Sequence, residues 1–305
     1  MAVPKHDAGS GGFDAAKVII EHVSNSPLDH PIIPLPTVFG INLSVTKHVL
    51  MLWLVAGFLL VVVTWSVRKY LRKGAQASPS GFMSVLEVMV EFIRDSVVLP
   101  NVGRKYVNTW TPLALTFFLF ILTANVVGLV PIFEFLGLVD RLLLHTSEHS
   151  IINQVLHGGT TATGNYNVTA ALATITFFAI IAAGSKAHGF IQHWKNLVPH
   201  GLAWPIYILL IPIEVMGMFV KPFALTMRLA ANMTGGHIAI LAITSLVFIL
   251  SNLFHTSWAG LGMLPISIGL AVGISGLEII VVLVQAYVFT TLTAVFIGMA
   301  INVHH

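Results

Sequence analysis

The chain has 305 residues, of which 56% are hydrophobic and only 9% are charged, and its mean hydropathy is +0.89. An average soluble domain carries about 25% charged residues, so this composition indicates a membrane protein and argues against a soluble enzyme. The chain contains no cysteine, which excludes disulfides, thiol catalysis and thiolate metal sites. Its formal charge of +3 does not indicate nucleic-acid binding, because the basic residues lie in loops beside apolar runs.

The N-terminal segment, residues 1–45, is polar and has prolines at positions 27, 31, 34 and 36, and within it only Asp14–Ser24 has the pattern of a short amphipathic helix. The first run of spanning length extends from about His48 to Val67 and ends in a basic cluster at Arg68–Lys73. Because lysine and arginine accumulate on the cytoplasmic side of membrane proteins, the N-terminus is predicted to lie outside. Residues 1–45 are therefore expected to be an extracytoplasmic segment and residues 46–305 a membrane domain.

The next elements continue this topology. Phe82–Leu99 mixes acidic and basic residues with large apolar ones, which predicts an amphipathic helix on the cytoplasmic interface, with an ordinary solvated face as the alternative. A second span from about Pro112 to Phe135 runs outward. A third span, Val168–Ala183, returns inward and meets Lys186 and Lys195.

The stretch Trp204–Leu250 has no polar loop, although it is roughly 70 Å long as a helix and the hydrocarbon core is only about 30 Å thick. One interpretation is two spans joined by a tight turn at Lys221-Pro222. The other is a single long helix, kinked at Pro212 or Pro222 and steeply tilted. We favour the single helix, because a turn inside lipid exposes backbone polar groups unless protein covers them.

A loop at Ser251–Leu261 and a last helix from about Leu264 to Asn302 complete the chain. The fold class expected is an all-α polytopic membrane protein with about five membrane helices and one interfacial amphipathic helix. The last two helices, at about 204–302, are expected to be long, tilted and antiparallel, and to carry any ion pathway. Strands of a barrel would appear as alternating segments of roughly ten residues, and none is found.

Arg228 is the most informative residue of the long apolar stretch. A guanidinium stays protonated and costs at least about 2.5 kcal/mol at the centre of a membrane helix. Such a residue by default marks an ion path or a counter-charge.

Further polar residues form a pattern around it. At about 100° per residue, Glu214, Lys221, Arg228 and Asn232 lie on one helical stripe. His237 lies about 14 Å further along the helix and on the opposite face from Arg228.

Glu278 and Gln285 are seven residues apart and share one face of the last helix. In an antiparallel hairpin, residues at equal depth have position numbers with a nearly constant sum. Arg228 with Gln285 and His237 with Glu278 both satisfy one such register, so we expect these residues to face each other. The glutamine would offer the guanidinium a neutral acceptor, and the histidine and glutamate would exchange a proton as a coupled pair.

Simpler roles remain open for these residues. Glu214 and Lys221 are compatible with a structural contact near the cytoplasmic interface, and Asn232 with interhelical hydrogen bonding. An ion pair of Arg228 with Glu278 is disfavoured, because the two are misaligned by about eight residues in this register.

The histidines also have alternatives. His237 taken alone is compatible with a satisfied buried histidine. His145 and His149 have the i, i+4 spacing of metal ligands but lie in a polar loop without a carboxylate cluster, so no metal site is expected. No phosphate loop, dinucleotide-binding turn or catalytic triad order is found, and no cofactor is expected.

These motifs resemble the a subunit of the F-type ATP synthase membrane sector. The likeness rests on MRLAANMTGGH at positions 227–237 and QAYVFT at positions 285–290, and it is supported by PLALT at 112–116, NVVGLVP at 125–131 and NVT at 167–169. It covers about residues 45 to 302. Many bacterial members have aspartate three residues after the asparagine that corresponds to Asn125, whereas this chain has Gly128, which puts a contribution of an acid there in doubt.

The resemblance implies a role for each polar residue. Arg228 would face the carboxylates of the c ring and separate two aqueous half-channels. His237 and Glu278 would line the outer half-channel, with the two residue types exchanged in order relative to some members.

Asn232 and Gln285 would line the proton path or support the arginine, and Glu214 would lie near the cytoplasmic exit. The resemblance also implies a non-catalytic channel subunit. Its partners would be the c ring, b-type peripheral-stalk subunits and the remaining ATP synthase subunits, in a bacterial plasma (inner) membrane with a cytoplasmic C-terminus.

Two other classes of membrane protein are alternatives to this interpretation. A proton-coupled carrier also places Arg, Glu and His in the membrane, but it typically shows inverted repeats, and no internal repeat is found. A structural membrane anchor does not account for Arg228.

Overall fold

A computed structural model describes residues 20, 37–38, 41–42, 44–72, 78, 80–129, 161–197 and 204–302. Most of the predicted N-terminal segment, the predicted helix at Asp14–Ser24, and His145 and His149 lie outside the described residues. Within them a two-residue antiparallel pair, β1 (Thr37–Val38) with β2 (Ile41–Asn42), precedes the helices.

Eight α-helices follow in the part of the chain that the structure describes. In chain order they are α1 Lys47–Leu71, α2 Phe82–Glu91, α3 Leu99–Val102, α4 Val107–Leu129, α5 Tyr166–His188, α6 Phe190–Lys195, α7 Trp204–Leu253 and α8 Ser257–Ile301. Five helices of the described part of the chain, α1, α4, α5, α7 and α8, are long and apolar enough to cross a membrane. The predicted all-α polytopic fold with five membrane helices is confirmed.

The first span is longer than predicted. α1 continues past Val67 to Leu71, and Arg68 and Lys69 form its last turn. Cations near a helix C-terminus interact favourably with the partial negative charge of the unpaired carbonyls, so the basic cluster extends the helix instead of ending it.

The predicted amphipathic helix at Phe82–Leu99 is helical throughout but not uniform. α2 passes into a π-helical segment, Phe92–Val98, before α3. The wider i→i+5 turn brings Ile93, Val97 and Val98 to the buried side together. Sequence periodicity does not reveal such a segment, because it assumes α-helical spacing.

α7 is one continuous helix of 50 residues, which confirms the single-helix interpretation and excludes a turn at Lys221-Pro222. Pro212 and Pro222 both lie inside it. Each proline removes one backbone donor, and the hydroxyl of Thr226 donates to the carbonyl of Pro222 at 3.0 Å. The predicted tilt relative to a bilayer stays a prediction.

The turn between α7 and α8 is shorter than the predicted loop Ser251–Leu261. The amide of Thr256 donates to the carbonyl of Ser251, and the amide of His255 donates to that of Asn252. This pattern is a Schellman cap, and His255 takes the left-handed position with φ 50°, where glycine is usual. The polar residues Ser251 and Asn252 therefore belong to the last helical turn, although they resemble a loop in the sequence.

Two compact units make up the described chain. One contains Thr234–Glu278, the hairpin end of α7 and α8. There Gly260 is tightly apposed to α7: an added Cβ would lie 2.7 Å from the Val247 carbonyl oxygen.

The other unit contains the remaining helices up to Met233 and the chain from Ile279 onward. Its core has two clusters of buried side chains. The first joins the π-helical segment and α3 to α4, α5 and the end of α8. The second joins α4, α5, α7 and α8 around Phe117, Leu229 and Phe289.

Candidate functional site

His237 and Glu278 are in contact within the unit Thr234–Glu278. Nδ1 of His237 lies 2.8 Å from Oε1 of Glu278. The glutamate is only 4% exposed, whereas the histidine is partly accessible. The contact expected from the hairpin register is confirmed.

Gly236 allows the glutamate to pack closely against α7. A Cβ at position 236 would lie 2.8 Å from Oε1 of Glu278, whereas one at Gly235 would meet nothing within 4 Å. Of the two adjacent glycines, only Gly236 is required by the packing of the pair.

The two groups lie within hydrogen-bond distance of each other. A proton moves between an imidazole nitrogen and a carboxylate oxygen at hydrogen-bond distance without a change of side-chain position. The other carboxyl oxygen of Glu278, Oε2, is buried and makes no hydrogen bond to a described residue.

Ser267 is a polar residue of the same unit that sequence reasoning missed. It is 1% exposed, and its hydroxyl has no hydrogen-bond partner among the described residues. At about 100° per residue, the eleven positions between Ser267 and Glu278 return to the same face of α8. That spacing could have predicted from the sequence that Ser267 shares a face of α8 with Glu278.

In the other unit, Gln285 pairs with Asn232. Nδ2 of Asn232 donates to Oε1 of Gln285 at 3.1 Å, and Gln285 is 4% exposed. The expected Arg228–Gln285 contact is wrong: the glutamine oxygen accepts from Asn232, and Arg228 donates no hydrogen bond to it. The physical reason is rotation: Asn232 stands about 40° nearer than Arg228 to the buried side of α7.

Arg228 itself lies on the exposed side of α7, while its neighbours Leu225 and Leu229 are buried. Its guanidinium makes no hydrogen bond or ion pair with any residue that the structure describes. The alternative of an ion pair with Glu278 is not realised. Glu278 pairs instead with His237.

Glu214 and Lys221 are half-buried and do not contact each other through an ion pair. The Nζ atom of Lys221 instead lies 5.7 Å from the centre of the Phe296 ring. The proposed structural contact between the two residues is not formed. Glu214 has no polar partner among the described side chains.

Gly128, the departure noted in the sequence, is packed against Thr161. A Cβ at position 128 would approach the Thr161 backbone Cα to 2.7 Å, so an aspartate does not fit there without movement. Nearby, the hydroxyl of Thr163 donates to Oδ1 of Asn125 at 2.5 Å in a buried position.

Among the described residues outside the spans, pKa values are shifted at two places. The Asp95 carboxylate hydrogen-bonds Arg94, which lowers the pKa of Asp95 and raises the pKa of Arg94. In α6, burial lowers the pKa of His193, with a smaller contribution from His188. The described residues contain no group of three or more His, Asp or Glu arranged to hold a metal ion.

Comparison with known proteins identifies the family. The family described as ATP synthase A chain matches residues 49–298. ATP synthase subunit a 2 of Chlorobium luteolum is 40% identical over 306 residues, covering 97% of this chain and 80% of that protein. ATP synthase subunit a of Chlorobium phaeobacteroides is 38% identical, covering 96% and 77% of the two chains.

A third relative agrees with these two. ATP synthase subunit a of Chloroherpeton thalassium is 38% identical and covers 88% of this chain and 70% of its own. These matches extend over nearly the whole chain, and they agree with its five apolar helices. The chain therefore belongs to the ATP synthase A chain family, as a multi-pass membrane subunit of the F-type ATP synthase with a role in proton transport and ATP synthesis.

Proposed function

We propose that this chain is the proton-translocating stator subunit of its complex. It provides two offset aqueous half-channels, and Arg228 stands between them facing the carboxylates of a rotating c ring. Each carboxylate is kept ionised as it passes the arginine, so protons do not cross directly and must travel with the ring.

The observation that carries this proposal is the exposure of Arg228 on a membrane-spanning helix. A guanidinium facing lipid tails is costly, and intramembrane arginines almost always face protein or water and have a counter-charge. Within the described chain Arg228 has no such partner. A second protein with a carboxylate at this depth supplies one, which supports a ring of acidic subunits as its neighbour.

The other polar residues support the path on either side of the arginine. His237 and Glu278 exchange protons in the outer half-channel, and their 2.8 Å contact suits that role. Asn232 and Gln285, joined at 3.1 Å, line the path next to the arginine. Glu214 serves the cytoplasmic exit.

Coupling follows from this arrangement. A field of 100 mV is worth about 2.3 kcal/mol for each charge that crosses it. Several protons per turn therefore supply the free energy that rotates a ring against a load. ATP is made or hydrolysed in partner subunits, so this chain acts as a channel subunit and not as the catalytic one.

The proposal also covers the membrane, the orientation and the neighbouring subunits of the chain. The chain lies in a bacterial inner membrane with its N-terminus outside and its C-terminus in the cytoplasm. It contacts the c ring and b-type peripheral-stalk subunits.

The test replaces Arg228 by alanine in the assembled complex. We expect ATP synthesis driven by a proton gradient to fall by about 100-fold or more, because a preorganised charge facing the reacting carboxylate is lost. Passive proton leakage through the membrane sector is expected to rise. Both are measured in inverted membrane vesicles.

Met227→Ala is the matched control, since Met227 is the exposed neighbour of Arg228 on the same helix. It is expected to keep coupling close to that of the unmodified chain. Immunoblots of the purified complex establish that both variants assemble. Normal coupling in an assembled Arg228→Ala complex would refute the proposed role.

A further inference from the structure

The basic end of α1 lies beside the start of α2, and its charges are not used by the proton path. Arg68, Lys69 and Arg72 end the helix and make no ion pair with a described residue. Nζ of Lys69 lies 4.9 Å from the centre of the Trp65 ring. Three adjacent cations without carboxylate partners form a surface that attracts anions.

A cavity of about 100 Å³ separates the end of α1 from the start of α2. Its described lining consists of Trp65, Ser66, Lys69, Tyr70, Ser80, Phe82 and Met83. The N-cap of α2 is Gly81, so no side chain caps the helix, and its first turn contains no acidic residue. The partial positive charge of the α2 N-terminus therefore faces this cavity, and no acidic side chain of the first turn neutralises it.

Ser66 gives a second, independent indication of a ligand. It lines the cavity, is only 6% exposed, and its hydroxyl has no hydrogen-bond partner among the described residues. Serine hydroxyls buried in a protein are normally paired, and an exception calls for a ligand or water.

A larger groove of about 500 Å³ continues along the same side of α1. It shares Trp65 and Lys69 with the small cavity. The rest of its described lining is Leu60, Val61, Thr64, Arg68 and Arg72. One end is therefore apolar and the other basic, and no described residue lining either space is acidic.

We propose that the cavity binds the phosphate group of an anionic phospholipid. Lys69, the α2 N-terminus and the Ser66 hydroxyl bind the phosphate, and an acyl chain lies along the Leu60–Val61 end of the groove. The graded lining favours a lipid over free phosphate, because inorganic phosphate has no apolar part to place there. The exposed apolar residues Phe82 and Val85 put α2 at the same interfacial level.

The test measures lipid retention by the full-length chain in zwitterionic detergent. Native mass spectrometry counts bound phosphatidylglycerol and phosphatidylcholine when both are supplied in equal amounts. We expect the unmodified chain to prefer phosphatidylglycerol. In Arg68→Gln/Lys69→Gln that preference is expected to fall about 25-fold, since each cation near a lipid headgroup contributes about a fivefold change.

Arg104→Gln/Lys105→Gln is the matched control, because it removes two adjacent exposed cations that line neither space. It is expected to change the preference by less than about twofold. An equal loss in both double variants would overturn the proposal, because the effect would then be one of net charge. Equal retention of the two lipids by the unmodified chain would overturn it as well.

Met83→Glu provides an independent variant, because it adds an acidic side chain to the cavity lining at the start of α2. An acid in the first turn interacts favourably with the α2 N-terminus, and this variant is expected to displace the anionic lipid. Unchanged lipid retention in this variant would contradict the site. Competition with inorganic phosphate separates the two sources of phosphate: displacement of the lipid at millimolar phosphate would assign the cavity to the free anion and overturn the lipid.

Discussion

Gly235 and Gly236 are neighbours in α7, but only Gly236 lies against the buried carboxyl group of Glu278. A Cβ at position 236 would come within 2.8 Å of Oε1, the same oxygen that contacts His237. Replacing either glycine by alanine changes the helix propensity of α7 by the same amount. Only the replacement at position 236 also disturbs the contact with Glu278, so comparing the two variants isolates the effect of that contact.

Gly236→Ala is expected to reduce proton transport by about 10- to 100-fold, because it displaces the glutamate from its contact with His237 by a distance that matters for proton transfer. ATP-driven acidification of inverted vesicles measures the loss. Gly235→Ala serves as the control and is expected to retain transport. Equal activity of both variants would mean that the position of the glutamate is not critical.

The contacts of single residues were predictable only in part. The His237–Glu278 pair followed from the hairpin register, because the two residues lie at equal depth when the helices fold back on each other. Arg228 and Gln285 satisfied the same register and yet do not meet. Equal depth along the two helices did not determine which residue pairs with Gln285. Asn232 pairs with it because its side chain is rotated toward the buried side of α7.

At the scale of elements, α6 is packed through a single buried histidine. The ring of His193 lies directly against Gly184 of α5, and its Nε2 atom has no partner among the described residues. Burial lowers the pKa of His193, with His188 as a second contributor. Lys186 and Lys195 carry further positive charge on the same two helices.

This packing is expected to weaken in acid. Because the folded-state pKa of His193 lies below its ordinary value of 6.5, the unfolded chain binds more protons between the two values. The stability contributed by neutral His193 is complete above that ordinary value and is lost as the pH falls through the folded-state pKa. Hydrogen exchange of the α6 amides at about pH 8 and about pH 5 measures the change.

His193→Gln removes the titrating group and is expected to remove most of the pH dependence of exchange in α6. His255→Gln, at the exposed turn between α7 and α8, is the control and should leave it unchanged. Persistence of the full pH dependence in His193→Gln would assign it to another group.

The long elements could be predicted well from sequence, and their junctions could not. The absence of a polar loop over Trp204–Leu250 favoured one helix over two spans, because a turn in lipid exposes backbone polar groups unless protein covers them. The Schellman cap at His255 depends on a backbone conformation that histidine seldom adopts, so a longer loop was expected. The π-helical segment at Phe92–Val98 likewise has no signature at α-helical spacing.

At the scale of the whole molecule, one face of α7 is not covered by other described parts of the chain. Ala224, Met227, Arg228 and Asn232 are exposed along successive turns, while Leu225 and Leu229 on the other side are buried. A lipid environment suits the alanine and methionine but not the guanidinium. On the proposed function, a carboxylate of the ring subunit covers this face and supplies the counter-charge of Arg228.

Disulfide cross-linking can identify that protein, because the chain contains no cysteine and any introduced thiol is unique. Ala224 lies one helical turn before Arg228 on the exposed side of α7, so Ala224→Cys changes the surface little. In the assembled complex we expect this thiol to cross-link to a cysteine placed beside the carboxylate of the ring subunit. Ala56→Cys, equally exposed but on α1, is the control and is expected to give no such product. Cross-linking from Ala56 but not from Ala224 would place the ring on another face, and Arg228 could not then act on its carboxylates.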